Sequence, residues 1–163
     1  MVRAGILGDR IVGPFFLEEN VTAETYTRFL SHDLVDYLDT LPEEVSGAVI
    51  FQQDGHPAHT SRRAVAMLNL LFPDRWIGAR GPRPWPPRSP DLTPMDFFLW
   101  GYMKDKILDE NGLPPQTRPA MVAAIRAAFL TITPEMLASV RRNFMKRVVL
   151  CAENGGGHVE HIL

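Results

Sequence analysis

A run of apolar residues that ends on a carboxylate constrains the fold of this chain more than any other feature. Residues 48–54 read AVIFQQD, so four apolar side chains precede two glutamines and Asp54. A short continuous apolar run is typical of a strand that is buried on both faces of a sheet. In open α/β sheets, ligands bind at the edge where such strands end. The run therefore predicts an α/β fold with Asp54 at the functional edge of its sheet.

The remaining segments supply the strands and helices that such a sheet requires. Residues 2–7 and 11–17 flank a turn that contains Gly8, and this pattern predicts a hairpin. Helical spacing and cap signals predict helices over residues 22–41, 58–72, 93–108, 119–130 and 134–151, and a strand over residues 75–78. This order predicts a mixed sheet whose first pair is antiparallel and whose later strands are joined by crossover helices. Because no internal repeat or long linker interrupts residues 1–163, we expect a single domain.

Composition narrows the classes of protein and of partner. The 163 residues carry a net charge of −2, which argues against a protein that coats nucleic acid over its whole surface but allows a local basic groove. A single cysteine, Cys151, excludes an intramolecular disulfide and suits a reducing compartment. No apolar run reaches the length of a membrane span, so we expect no membrane partner.

A second acidic segment follows Asp54 after one predicted helix and one predicted strand. Residues 89–96 read SPDLTPMD and end on Asp96. Two carboxylates at one sheet edge could hold a divalent metal ion, because hard cations prefer oxygen ligands. Asp54 also precedes Gly55, and Asp-Gly is a common turn pair. Asp96 lies three residues after the predicted N-cap Thr93, where an acid favours the helix dipole. The residues alone leave both explanations open for each acid.

Arginines and tryptophans alternate in a stretch that contains no acidic residue. Within residues 75–88 these are Arg75, Arg80, Arg83 and Arg88, with Trp76 and Trp85. Arginine interleaved with aromatic rings suits phosphate contact and base stacking. The alternative is a solvated loop whose tryptophans pack on the core. We favour contact with DNA or a partner, and we assign Arg80, Arg83 and Arg88 to that contact.

Two further groups of polar residues carry less functional weight. The histidines form two His-x-x-His pairs, His56 with His59 and His158 with His161, which lack the cysteines and the spacing of common zinc sites. We expect the first pair to support the metal-binding strand or to face DNA, and we assign His59 to DNA contact. A basic group near the C-terminal end is predicted to line a solvated helix face: Arg141, Arg142, Lys146 and Arg147.

Two segments together resemble the catalytic domain of mariner-like transposases. They are residues 51–59, which read FQQDGHPAH, and residues 85–100, which read WPPRSPDLTPMDFFLW. The hairpin at residues 5–17 and the tail at residues 154–161, NGGGHVEH, are also similar to parts of that family. The resemblance covers nearly the whole chain. The two motifs in this order are highly specific, whereas either one alone is only moderately so.

The resemblance implies a ribonuclease-H-like fold that cuts and rejoins DNA with three carboxylates and two Mg²⁺ or Mn²⁺ ions. By this match Asp54 is the second carboxylate. Asp96 is the third, since the family places that acid after Ser-Pro-Asp-Leu-x-Pro rather than at the position of Asp91. Two metal ions stabilise the charge on both the attacking and the leaving oxygen of a phosphodiester. The resemblance also implies a nuclear protein with DNA as its partner, a homodimer as a candidate assembly, and no small-molecule substrate.

Two departures from the family pattern shape the expected activity. The 41 residues between Asp54 and Asp96, positions 55–95, exceed the usual spacing, and we place the extra length in the loop at residues 78–87. The family's first carboxylate lies on a strand before the hairpin, and this strand, which is central in the fold, has no counterpart before Val2. We therefore expect a truncated catalytic domain whose sheet is incomplete, rearranged or completed by a partner, because unpaired buried backbone groups destabilise a sheet.

With two of the three carboxylates, we expect the chain to be inactive alone, although it retains weak metal binding. Two alternatives remain open at this stage. The chain could be a DNA-binding or interaction protein that uses the fold without its chemistry. It could also be a nuclease whose missing ligand comes from another chain.

Overall fold

The computed structural model describes residues 1–18, 20–86 and 89–163 of the chain. These residues form two compact units. The first unit contains Met1 and Phe15–Arg88, and the second contains Val2–Pro14 and Ser89–Leu163. The single domain expected over residues 1–163 stays a prediction.

The predicted hairpin is present at the start of the chain. Strand β1 spans Val2–Leu7 and pairs with strand β2, which spans Arg10–Phe16. Gly8 begins the two-residue turn with a φ of 60°. Glycine adopts this left-handed conformation without the steric penalty that a Cβ atom would impose, so the turn can be this short.

The helix predicted over residues 22–41 is wrong as one continuous element. Helix α1 spans Ala23–Ser31, and helix α2 spans Asp33–Asp39. They are separated by His32, whose φ of −125° and ψ of −80° are not helical. The N–H of His32 donates to the carbonyl of Arg28 at 3.0 Å, and its Nδ1 lies 3.1 Å from the same oxygen. The backbone leaves the helical conformation at His32, and the apolar spacing of residues 22–41 does not reveal this break.

The predicted N-terminal signal of α1 is correct in detail. The backbone N–H of Thr25 donates to the hydroxyl of Thr22 at 3.1 Å, and the N–H of Thr22 donates to the hydroxyl of Thr25 at 2.9 Å. This reciprocal pair satisfies two donors at the start of the helix. A short helix α3, Glu43–Ser46, then follows Pro42.

A parallel strand pair with a crossover helix forms the centre of the first unit. Strand β3 is Phe51–Gln52, helix α4 is Arg62–Leu71, and strand β4 is Trp76–Ile77. Phe51 pairs with Trp76 and Gln52 with Ile77, in parallel. Helix α4 packs against α1. The buried core of this unit consists of Tyr26, Phe29, Leu30, Leu34, Val49, Ala58, Ala64, Leu68, Phe72 and Trp76.

Strand β3 is shorter than the apolar run that predicted it. Ile50 is 49% exposed, so the run is not buried on both faces along its length. The guanidinium of Arg75 donates to the carbonyl of Gly47, and to that of Val49 at 3.1 Å. Because a side chain satisfies these carbonyls, a strand neighbour is not needed before Phe51.

The second unit is helical apart from its part of the hairpin. It contains a 3₁₀ turn at Pro90–Leu92, a π-helical turn at Met95–Leu99, α5 at Trp100–Ile107, α6 at Arg118–Leu130, α7 at Pro134–Glu153 and a 3₁₀ turn at Glu160–Ile162. The side chains of Thr117 and Thr133 cap α6 and α7 by accepting from the N–H groups of Ala120 and Met136, both at 3.3 Å. Within the described residues, no single helix is long and apolar enough to cross a membrane. Helices α6 and α7 reach that length and composition only as a pair, which is bent by 78°.

Helix α7 ends just before a run of three glycines at residues 155–157. Gly155 and Gly156 have φ values of 61° and 88°. The N–H of Gly156 donates to the carbonyl of Cys151 at 2.8 Å, and that of Gly155 to the carbonyl of Ala152 at 3.3 Å. This is a Schellman motif, which satisfies the last helical carbonyls and reverses the chain.

Candidate functional site

Asp54 lies at the carboxyl end of the parallel strand pair. It follows Gln53, whose N–H donates to the carbonyl of Ile77 at 3.0 Å and so continues the pairing of β3 with β4 by one residue. The Asp54 side chain is 64% exposed. This is the sheet edge where ligands of α/β proteins bind, and it is the position that the apolar run predicts.

One oxygen of the Asp54 carboxylate, Oδ1, makes two polar contacts. Oδ1 accepts from the backbone N–H of His56 at 3.0 Å and lies 2.5 Å from Nδ1 of His59. Oδ2 accepts no hydrogen bond from the part of the chain that the structure describes. The contact with His59 is the main cause that lowers the pKa of Asp54 to about 2, although partial burial raises it. An ionised carboxylate with one oxygen fixed and the other turned to solvent suits a hard divalent cation.

A buried chain of side chains holds His59 in place. The hydroxyl of Tyr26 donates to Oε1 of Gln53 at 2.5 Å, and Nε2 of Gln53 donates to the carbonyl of His59 at 3.0 Å. The rings of Tyr26 and His59 lie 4.1 Å apart. Tyr26 and Gln53 are both buried. This chain therefore fixes the ring that contacts Asp54, which is how residues around a metal ligand set its orientation.

Sequence reasoning missed the roles of Tyr26 and Gln53. A signal was present, because Gln53 is an amide at the end of a buried strand and buried amides require partners. The identity of its partners depends on how α1 packs, which the sequence does not reveal. His59 itself is only 14% exposed and its Nδ1 faces Asp54, so only part of its ring is open to DNA.

Acid titration is expected to disrupt the contact between Asp54 and His59. A carboxylate whose pKa is lowered on folding stabilises the folded state above its ordinary pKa of 3.8, and this contribution is lost as the pH falls towards about 2. The carboxyl carbon shift of Asp54, followed by NMR, should report a midpoint near 2. In His59→Phe, which keeps the ring against Tyr26 but removes the nitrogen, the midpoint should rise towards 3.8. His161→Phe is the control, and an unchanged midpoint in His59→Phe would contradict this account.

Asp96 lies in the second unit, near the start of the π-helical turn. Its side chain is exposed, and its N–H donates to the carbonyl of Thr93 at 2.9 Å. The N–H of Trp100 reaches back five residues to the carbonyl of Met95, which defines the π pattern. Single π turns of this kind are frequent at functional sites, because they widen the helix and redirect side chains.

The predicted side-chain cap at Thr93 is wrong. The Thr93 hydroxyl donates to the carbonyl of Ser89 at 3.1 Å instead of capping the helix. The backbone carbonyl of Thr93 receives the N–H groups of Asp96 and Phe97, at 2.9 and 3.0 Å. The helix start is therefore set by the backbone and by Pro94, and the hydroxyl stabilises the preceding turn.

Asp91 is buried, and its side chain accepts a hydrogen bond from the C-terminal tail. Its Oδ2 accepts from the N–H of Val159 at 2.8 Å and lies 3.4 Å from Nδ1 of His158. Burial raises the pKa of Asp91, but the hydrogen bond from Val159, the contact with His158 and its charge together hold the pKa below its ordinary value. The motif Ser-Pro-Asp-Leu therefore uses its acid to hold the C-terminal tail.

The solvated face predicted for helix α7 is wrong at Arg147. Arg147 is 6% exposed, whereas Arg141, Arg142 and Lys146 are exposed as predicted. The charge of Arg147 is balanced inside the second unit by Glu160, whose Oε2 lies 2.7 Å from Nη1 of Arg147. The pattern of charges along one helix does not reveal that a residue from another segment, here Glu160, pairs with Arg147.

The loop that carries Arg80 and Arg83 is tied to strand β4. The N–H of Gly78 donates to the carbonyl of Arg83 at 3.1 Å, and the N–H of Trp85 donates to the carbonyl of Gly78 at 3.3 Å. A Cβ atom at either Gly78 or Gly81 would lie 3.0 Å from the buried ring of Trp76, so glycine allows the loop to close over this ring. Both arginines are exposed. Arg88, which we also assigned to DNA, lies outside the described residues.

The described residues do not form a complete metal site. No group of three or more His, Cys, Asp or Glu side chains in the described part of the chain is arranged to hold a metal ion. Asp54 belongs to the first unit and Asp96 to the second. Each carboxylate fits a divalent cation by its donor type, and Asp54 does so also by its ionisation and its open oxygen.

Comparison with solved structures identifies the fold. The chain aligns with the crystal structure of the catalytic domain of Mos1 mariner transposase at a TM-score of 0.77 and 19% identity, over 98% of this chain and 82% of that chain. It is also similar to the Mos1 transposase paired-end complex with left transposon end, at a TM-score of 0.72 and 20% identity, over 94% of this chain and 42% of that chain. For the Mos1 mariner paired end complex with Mn, the TM-score is 0.73 at 22% identity, over 91% of this chain and 41% of that chain. No protein-family model matches the sequence, and no curated protein matches it significantly.

The fold is the mixed α/β, ribonuclease-H-like fold of a mariner transposase catalytic domain. This confirms the predicted fold class and the resemblance that the two sequence motifs indicate. The chain spans less than half the length of the Mos1 chains in the two paired-end complexes.

Proposed function

We propose that this chain, which has the fold of a mariner transposase catalytic domain, is a transposase-derived domain that binds DNA and a divalent cation. The observation that carries the proposal is the Asp54 carboxylate, which is ionised, fixed through Oδ1 and open at Oδ2, at the carboxyl end of the parallel strands. The neighbouring structures support the proposal, since one is a Mos1 transposase complex with a transposon end and another is a Mos1 paired-end complex with Mn.

We propose Asp54 and Asp96 as ligands of Mg²⁺ or Mn²⁺, and the nucleus as the place of action. A bound divalent cation would supply Lewis-acid stabilisation of the charge that develops on phosphodiester oxygens. The protein residues contribute orientation: His59 and the backbone N–H of His56 fix one oxygen of Asp54, and Tyr26 and Gln53 fix His59.

We also propose that these 163 residues alone do not catalyse strand cleavage. The two-metal reaction would use three carboxylates by the family pattern, and this part of the sequence offers only Asp54 and Asp96. A nuclease that takes the missing ligand from another chain or segment is the competing class, and its activity would rise steeply with protein concentration.

DNA binding tests the proposal through the loop that carries Arg80 and Arg83. Replacing both by alanine removes two exposed cations from a loop that is held to β4 by its backbone. On duplex DNA, the slope of log binding constant against log salt concentration should become less negative by about 0.9 for each lost phosphate contact. Fluorescence anisotropy at several salt concentrations measures this slope.

Arg141→Ala combined with Arg142→Ala is the charge-matched control on α7, where both arginines are also exposed. Its slope should change less than that of the Arg80 and Arg83 double variant. Equal effects of the two double variants would indicate a nonspecific charge effect and would contradict the assigned interface. Undetectable DNA binding at low salt would overturn the DNA-binding part of the proposal.

A further inference from the structure

The C-terminal tail is built into the second unit through the acid of the Ser-Pro-Asp-Leu motif. After the Schellman motif reverses the chain, Nδ2 of Asn154 donates to the carbonyl of His158 at 3.3 Å. Val159 is fully buried, and its N–H donates to Oδ2 of Asp91 at 2.8 Å. A backbone N–H bonded to a buried carboxylate is a strong contact, because the acceptor is charged.

Arg147 lies at the centre of this arrangement and makes polar contacts with three segments. Its Nε donates to Oδ1 of Asn143 at 2.6 Å. Its Nη1 donates to the backbone carbonyl of Asp91 at 2.8 Å and to Oε2 of Glu160 at 2.7 Å. We call the set of Arg147, Asp91, Val159 and Glu160 the tail clasp. It joins α7, the 3₁₀ turn at Pro90–Leu92 and the C-terminal tail.

The tail clasp also reaches the segment that carries Asp96. The guanidinium carbon of Arg147 lies 4.3 Å from the centroid of the Phe97 ring, a cation–π geometry. Phe97 follows Asp96 directly, and the N–H groups of both residues donate to the carbonyl of Thr93. Thr93 is itself buried and held to Ser89. The buried side chain of Arg147 therefore contacts the chain before and after Thr93. It donates to the backbone carbonyl of Asp91 and packs on the ring of Phe97.

We infer that Arg147 is a positioning residue for Asp96, and that docking of the tail through the tail clasp sets the orientation of this proposed metal ligand. The inference rests on the proposed function for the role of the metal. Its structural part, which is that the tail clasp orders the Asp96 turn, stands independently. Residues that orient a metal ligand without touching the ion typically change its affinity by about 10–100-fold.

Coupling between the tail and the metal is reciprocal in equilibrium terms. If tail docking strengthens Mn²⁺ binding by some factor, Mn²⁺ must strengthen tail docking by the same factor. Bound Mn²⁺ should therefore slow hydrogen exchange of the Val159 amide, which the tail clasp protects. Replacement by the diamagnetic ion Mg²⁺ allows the same exchange measurement by NMR.

The test compares Arg147→Met with Arg142→Met, an exposed control on the same helix. Mn²⁺ affinity is measured by electron paramagnetic resonance, and exchange of the Asp96 and Phe97 amides by NMR. In Arg147→Met, the affinity should fall by about tenfold, and exchange at these two amides should accelerate more than at the Met121 amide of α6. In an Asp96→Ala background, Arg147→Met should change the affinity by less than about twofold, because the ligand that it positions is absent.

The outcomes separate this inference from the proposed function. Unchanged exchange at Asp96 and Phe97 in Arg147→Met overturns the inference, as does an affinity loss that persists fully in the Asp96→Ala background. If the wild-type chain binds neither cation, the proposed function fails, and exchange alone then decides whether the tail clasp orders the Asp96 turn. If Arg147→Met does not fold, Glu160→Gln is tested instead, because it keeps the arginine and removes the charge of its exposed partner. It should lower the Mn²⁺ affinity and accelerate exchange at the Asp96 and Phe97 amides in the same way, by smaller amounts.

Discussion

Replacing Asp54 by asparagine is expected to lower the Mn²⁺ affinity of this chain by at least tenfold. The substitution keeps the size of the side chain and its ability to accept from His56, but it removes the negative charge. Because the pKa of Asp54 is lowered to about 2, its carboxylate is ionised at neutral pH. Hard divalent cations depend on that charge, so a neutral amide at the same place is a much weaker ligand. Titration followed by electron paramagnetic resonance measures the affinity directly.

Asp9→Asn is the matched control, since Asp9 is an exposed acid in the hairpin turn. It should leave the Mn²⁺ affinity within about twofold of the wild type, because Asp9 is not a proposed ligand and salt screens an exposed charge. Equal affinities of Asp54→Asn and the wild type would exclude Asp54 as a ligand.

The same preparations should not cleave DNA with Mn²⁺, and cleavage that Asp54→Asn abolishes would contradict the proposed inactivity of these residues alone.

Replacing Trp76 by alanine is expected to lower the free energy of unfolding by about 3–5 kcal/mol. Trp76 is fully buried, and its indole Nε1 donates to Oδ1 of Asn69 at 2.8 Å. Alanine leaves a large cavity under Gly78 and Gly81 and removes the hydrogen bond to Asn69. Urea unfolding monitored by circular dichroism measures the change.

Two variants bracket this expectation. Trp100→Ala removes a tryptophan that is 39% exposed, and it should destabilise the protein by less than Trp76→Ala does. Trp76→Phe keeps most of the ring volume and loses the indole N–H, so it should fall between the wild type and Trp76→Ala. A loss below about 1 kcal/mol in Trp76→Ala would mean that the loop does not depend on this ring.

The DNA affinity of Trp76→Ala should also fall, because the same ring supports the loop of Arg80 and Arg83.

Features that depend on neighbours along the chain were predictable from the sequence. The caps at Thr22 and Thr133 and the glycine end of α7 follow from side-chain and backbone donors within a few residues of each other. The crossover of β3 and β4 follows from a helix placed between two apolar runs. The resemblance to mariner-like transposases, confirmed as a fold, rests on two short segments whose order is informative.

Features that depend on distant segments were predicted less well. Strand β3 is short because the guanidinium of Arg75, 26 residues further along the chain, satisfies the carbonyl of Val49 before it. Arg147 appeared to belong to a solvated face, and only the return of the tail shows that it is buried. Each of these outcomes arises from a polar group that finds its partner through packing.

The sequence by itself determined the fold class, the starts of helices α1, α6 and α7, and the place of Asp54 at the end of a strand, since apolar spacing and capping act over a few residues. Only the tertiary structure decided which oxygen of Asp54 is held, which buried residues hold His59, and that Asp91 and Arg147 bind the tail. The physical reason is that a buried polar group must find a partner, and the partner can be any group that folding brings within hydrogen-bond distance.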